Sequence, residues 1–116
     1  MASHTISMQG IGAEHLSAKK GASATAGYPC HFTDNDTVAN SAAGTDFSGV
    51  IAGERSGLVT VQYHGFVTLP YSGTAPAVGY GILVADGNGG VKTATSGRSY
   101  LVVHVDTAAK TLGLML

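Results

Sequence analysis

Apolar and polar residues alternate along most of this chain, and the clearest alternation is residues 58–71, LVTVQYHGFVTLPY. Val59, Val61, Tyr63, Val67 and Leu69 share one parity, with Gly65 between them. Thr60, Gln62, His64 and Thr68 share the other, interrupted by one large apolar residue, Phe66. A period of two in β-branched and aromatic residues predicts a strand with one dry face. Gly65 predicts a bend or bulge where that strand curls.

Other runs repeat the pattern on a smaller scale. Residues 28–32 (YPCHF) and 37–40 (TVAN) flank Thr33-Asp34-Asn35-Asp36, a turn by composition, because Asp and Asn side chains bond nearby backbone groups. Residues 47–52 (FSGVIA) precede a Gly-Glu-Arg-Ser-Gly turn into the central strand, which predicts a hairpin; Gly49 predicts a bulge or a close backbone contact. Residues 72–80 (SGTAPAVGY) form a loop. Residues 81–85 (GILVA) and 91–94 (VKTA) enclose the turn dipeptides Asp86-Gly87 and Asn88-Gly89. Residues 100–106 (YLVVHVD) put Leu101, Val103 and Val105 on one face. Residues 111–116 (TLGLML) do the same with Leu112, Leu114 and Leu116. Seven to nine short strands with frequent turns predict an all-β fold, a small single-domain β-barrel or β-sandwich spanning residues 27–116.

The first 26 residues differ. They are polar and rich in Ser, Ala, Gly and Thr, with scattered apolar Ile6, Met8, Ile11 and Leu16. Ile6 and Met8 are spaced like one face of a short strand, and 13–20 has room for one or two helical turns. The expectation is an extended N-terminal arm, flexible until it lies on a partner.

Composition adds a constraint. Six Lys and Arg and seven Asp and Glu make only 11% of the 116 residues charged, with a net charge of −1, against about 25% in an ordinary soluble domain. A surface so poor in charge points to one covered in the working state by other copies or by a larger assembly. Beyond Lys19-Lys20 there is no basic cluster, so nucleic acid is not an expected partner. No apolar run approaches the roughly 18 residues of a membrane span. The start of the chain lacks the basic leader and hydrophobic segment of a signal peptide. The single Cys30 forms no internal disulfide and suits a reducing compartment.

Candidate chemistry is sparse. Cys30 and His31 are adjacent, so in a strand they point to opposite faces and do not chelate one metal. His104 and Asp106 share a face but lack two further ligands at recognisable spacing. No G-x-S-x-G elbow and no carboxylate pair set among apolar residues is present. Asp86-Gly-Asn88-Gly-Gly lacks the later glutamate and flanking helices of a calcium loop. Gly79-Tyr80-Gly81 lacks the Lys-Ser/Thr and helix of a phosphate loop. The expectation is a protein that is not an enzyme, with no catalytic residues, no metal and no cofactor.

Residues 47–93, FSGVIAGERSGLVTVQYHGFVTLPYSGTAPAVGYGILVADGNGGVKT, and the closing RSYLVVHVDTAAKTLGLML resemble the small capsid decoration (cement) proteins of tailed phages and prophages. The order carries the resemblance: a Gly-Val strand, a strand ending G-F-V-T-L-P-Y, a D-G-x-G-G-V hairpin and a valine-rich final pair. It implies a non-enzymatic virion protein, made in the bacterial host cytoplasm. Such a protein binds the outer surface of the assembled capsid, with the major capsid protein as partner, as a homotrimer. It further implies an arm that reaches onto the capsid, sometimes by strand addition. On that basis Ile6, Met8, Ile11 and Leu16 are the expected capsid contacts. His64, Phe66 and Tyr71 are the expected self-association contacts, because Phe66 is a large apolar group on an otherwise polar face. The alternatives are a small carbohydrate- or ligand-binding β-module, a hydrolase or lyase on a small barrel, and another virion component such as a tail or baseplate protein.

Overall fold

The computed structural model describes residues 14–116, and among these there is no helix. Ten strands form two five-stranded sheets. The first is a closed barrel of β1 (Glu14–Lys20), β2 (Pro29–Asp34), β3 (Thr37–Asn40), β4 (Gly49–Arg55) and β5 (Leu58–His64), in the order β1-β3-β2-β4-β5. The second runs β6-β10-β9-β7-β8, from β6 (Phe66–Pro70), β7 (Gly79–Ala85), β8 (Val91–Thr93), β9 (Ser99–Asp106) and β10 (Thr111–Met115). All pairings are antiparallel except two. β1 runs parallel to β3, and a single parallel bridge joins Tyr71 to Val91. That bridge, with the Ser72 N–H donating to the Val91 carbonyl at 3.0 Å, brings the two ends of the second sheet together. The fold is therefore all-β, with a barrel in the first half and a strongly curled sheet in the second.

The long central run does not form one strand. It breaks at Gly65, whose φ of 101° lies in the left-handed region that favours glycine. Residues before the break close the barrel and residues after it start the second sheet. The inward parity survives the break: Val59, Val61, Val67 and Leu69 are all buried. Tyr63, expected on that face, is 41% exposed at the end of β5. Its hydroxyl instead bonds the Glu14 carboxylate, which raises its pKa.

The expected arm does not extend through residues 14–20. Glu14–Lys20 is a barrel strand, neither arm nor helix, and it pairs along its length with β5, Leu16 opposite Val61 and Ala18 opposite Val59. Ala18 is buried, and Leu16 packs on the same cluster as Cys30, Val38, Ile51, Val59 and Val61. A polar, glycine-flanked segment with an alternating His-Leu-Ser-Ala core reads weakly as a strand, because only two of its residues turn inward. Residues 1–13, with Ile6, Met8 and Ile11, lie outside the described residues.

Gly49 is where the barrel closes most tightly. A Cβ there would lie 2.6 Å from the Gln62 carbonyl oxygen and 2.8 Å from a Val61 methyl, so the expected close backbone contact is present. The larger core joins the two sheets. Phe47 and Val50 from the first half pack with Leu69, Tyr71, Leu83, Tyr100, Val102, Leu112 and Leu114 of the second. Phe47 and Tyr100 stack with ring centroids 4.6 Å apart and planes 3° apart, and the Tyr100 hydroxyl donates to the Phe47 carbonyl at 2.6 Å. A buried tyrosine needs such a partner for its hydroxyl, and here the partner ties the halves together.

The closing hairpin forms as expected, but the inward face of β9 does not. Tyr100 and Val102 are buried, whereas Leu101 is half-buried and Val103 is 38% exposed. The register explains the change: Gly113 faces His104 and Leu114 faces Val102, so Val103 is the extra residue of a bulge. The bulge restores phase, and Val105 packs on the core beyond it. On β10, Leu112, Leu114 and Leu116 are buried together, as their spacing predicts.

Candidate functional site

The residues singled out for chemistry are placed by the sheets into structural roles. Cys30 lies inside the barrel and is 1% exposed; burial pushes its thiol up to about 12, away from the thiolate a nucleophile needs. His31 points the other way, as adjacency requires. Its Nδ1 lies 3.1 Å from the Ser41 hydroxyl, which in turn donates to the Asp46 carbonyl. The pair fastens the loop 41–46 to β2.

Asp106 is equally committed: one carboxylate oxygen accepts the Ala108 and Ala109 N–H groups at 3.0 and 3.1 Å, holding the turn of the last hairpin. Asp86 does the same at its own turn. One oxygen accepts the Asn88 and Gly90 N–H groups and the other accepts the Ser72 hydroxyl at 3.1 Å. The turn at 86–90 is held against the first half of the chain, with Gly89 against the Tyr28 ring and Gly87 against Ala43. Among the described residues, no three His, Cys, Asp or Glu side chains lie together as metal ligands would.

The expected self-association residues are not brought together on one open surface. Tyr71 is buried in the larger core, with the Lys110 ammonium 5.8 Å from its ring, so it presents no face to a neighbour. Phe66 is half-buried because its ring covers Gly113; a Cβ on Gly113 would meet the ring at 2.5 Å. The large apolar side chain on the polar face thus fills the gap left by a cross-strand glycine. His64 is exposed at the end of β5.

Two surfaces stand open. One is the edge of β1. Its β5 side is paired from Glu14 to Lys19, but its other side meets β3 only at Lys19 and Lys20, where the Lys19 N–H donates to the Asp36 carbonyl and the Gly21 N–H to the Val38 carbonyl. Among the described residues no strand covers 14–18 on that side. The other surface is the outer face of the second sheet, where Tyr80 is 80% and Val78 67% exposed. Register places Tyr80 opposite Leu101, Leu101 opposite Met115, and Met115 opposite Phe66, an apolar row across four strands. The sequence signal for this row was Phe66 together with the outward members of three strands. Without the β9 bulge and the strand order, those members were not assignable to one face.

No family model matches this chain, and a search of curated proteins finds no match.

Proposed function

We propose that this protein is a non-enzymatic decoration protein that binds the outside of an assembled phage capsid and stabilises it, with the major capsid protein as partner. The observation that supports this reading is the side of β1 at residues 14–18, which no strand covers among the described residues. An unpaired strand edge offers a row of N–H and C=O groups to an added strand, a recurring way for a β-module to grip an extended segment of another protein. In this chain the open edge immediately follows the thirteen N-terminal residues, which include Ile6, Met8 and Ile11. The sequence resemblance points to the same role, and the scarcity of charge suits a body that works within an assembly.

A binder that prefers the assembled shell stabilises it by mass action, without any catalytic step. Co-sedimentation tests the reading. Expanded shells of the cognate major capsid protein should carry the full chain into the pellet in a saturable manner, while unassembled capsid subunits should bind it at least tenfold more weakly. Failure to pellet with shells of any maturation state would remove the decoration role and leave a ligand-binding β-module as the reading to pursue.

A further inference from the structure

We infer that residues 4–8 of this chain fold back as a strand onto the open side of β1 and close it in the free protein, so that a capsid strand binds there only by displacing them. The displacement rests on the shell-binding reading above; the fold-back does not.

The backbone of β1 defines what that side needs. Alternate residues of a strand turn their N–H and C=O groups to opposite sides. Lys19 and Gly21 donate to the Asp36 and Val38 carbonyls at 2.6 and 2.7 Å, toward β3, and Lys20 donates to the Gly57 carbonyl at 2.9 Å, toward β5. The same phase turns the N–H and C=O groups of His15 and Ser17 to the side on which β3 has not yet begun. The devices that usually guard a free edge are missing, since 15–18 holds no Lys, Arg, Asp, Glu or Pro. Leu16 stays half-buried although it shares the barrel cluster with buried Ala18, so the apolar neighbour it lacks lies on that side.

The chain ahead of β1 has the turn and the parity to supply both. Gly10-Ile11-Gly12 suits a three-residue hairpin loop, a type I turn followed by a glycine in the left-handed region. That loop sets Met8 opposite Glu14, Ser7 opposite His15, Ile6 opposite Leu16, Thr5 opposite Ser17 and His4 opposite Ala18. Ser7 and Thr5 then exchange backbone bonds with His15 and Ser17, and Ile6 lies beside Leu16 on the inward face. The added strand ends where β3 takes over at Lys19. A two-residue loop would hold Ile11 at a positive φ, which a β-branched residue resists, and either a two- or a four-residue loop would turn Ile6 and Met8 outward. Tethered by so short a loop, this strand reaches the edge ahead of any free one.

NMR of the full chain, free in solution, tests the fold-back. Ile6 and Leu16 form a pair without mutual hydrogen bonds, whose Cα atoms approach to about 4.5 Å. Overhauser contacts between Hα atoms should therefore join Ile6 to Leu16 and Met8 to Glu14. The His15 and Ser17 amides should exchange about a hundredfold more slowly than open amides. A Thr5→Pro, Ser7→Pro variant lacks two N–H groups that the pairing needs. It should lose the contacts and the protection, and should bind expanded shells about tenfold more tightly, since no cover has to leave. Fast exchange of both amides, missing contacts, or contacts that run between two copies would overturn the fold-back. Unchanged or weaker shell binding by the variant would overturn the displacement. Failure of both forms to bind any shell would remove the decoration role and the displacement with it, while the NMR result would still decide the fold-back.

Discussion

At the level of single residues, two positions decide how the barrel closes. Gly49 lies so near the Gln62 carbonyl that a methyl group has nowhere to go without moving backbone. Gly49→Ala should cost about 2–3 kcal/mol, at the upper end of overpacking penalties, read as a lower urea midpoint with an unchanged slope. Cys30 fixes a pH dependence. Its thiol has an ordinary pKa of 9.0 and is pushed up to about 12 by burial. Above pH 9 the unfolded chain sheds this proton while the folded chain keeps it, so stability should fall from about pH 9 toward 12, and below pH 9 the contribution is constant. Cys30→Ala should flatten that slope, as measured by urea titration at pH 8 and pH 10. Gly49 was legible in the sequence as a glycine interrupting a strand pattern. The burial of Tyr71 was not, because parity places a tyrosine on a face without saying how completely that face is covered.

At the level of elements, the hairpins were legible and the strand boundaries between sheets were not. Asp-Asn-Asp, Gly-Glu-Arg-Ser-Gly and Asp-Gly-Asn-Gly-Gly each specify a turn by local chemistry, and each turn is found. The 58–71 run reads as one strand because its parity is unbroken through Gly65; only the pairing partners reveal that its halves belong to different sheets. The β9 bulge escaped for the opposite reason: one unpaired residue shifts every inward position before it, and three consecutive apolar residues, Leu101, Val102 and Val103, fit either phase. Strand β1 was missed because its stability comes from pairing with β5 rather than from its own sequence. The 86–90 turn gives a test at this scale. Asp86→Ala removes the acceptor of two backbone N–H groups and of the Ser72 hydroxyl, and should cost about 2 kcal/mol. Amide exchange should quicken in β7 and β8 more than in the barrel, because the turn fastens those two strands. Uniform acceleration throughout would mean that the turn is not a local fastening.

At the level of the whole molecule, the chain spends its buried polar and aromatic groups on holding two curled sheets together. Tyr100 is the clearest case: stacked on Phe47, bonded to its carbonyl and covered by the Arg98 guanidinium 4.8 Å from the ring centroid. What the described residues leave for the proposed role is surface, the side of β1 at residues 14–18 that is open to strand addition. The candidate surfaces were only partly legible. Phe66 marked the outer face, but the row it belongs to depends on register, and the β1 edge depends on a strand the sequence concealed. The account rests on stabilisation of an assembled shell, and scanning calorimetry of expanded shells with and without saturating protein measures it most directly. The account predicts that the shell transition moves up by several degrees and that the shift saturates with added protein. A shell transition unmoved at saturating protein concentration would contradict it.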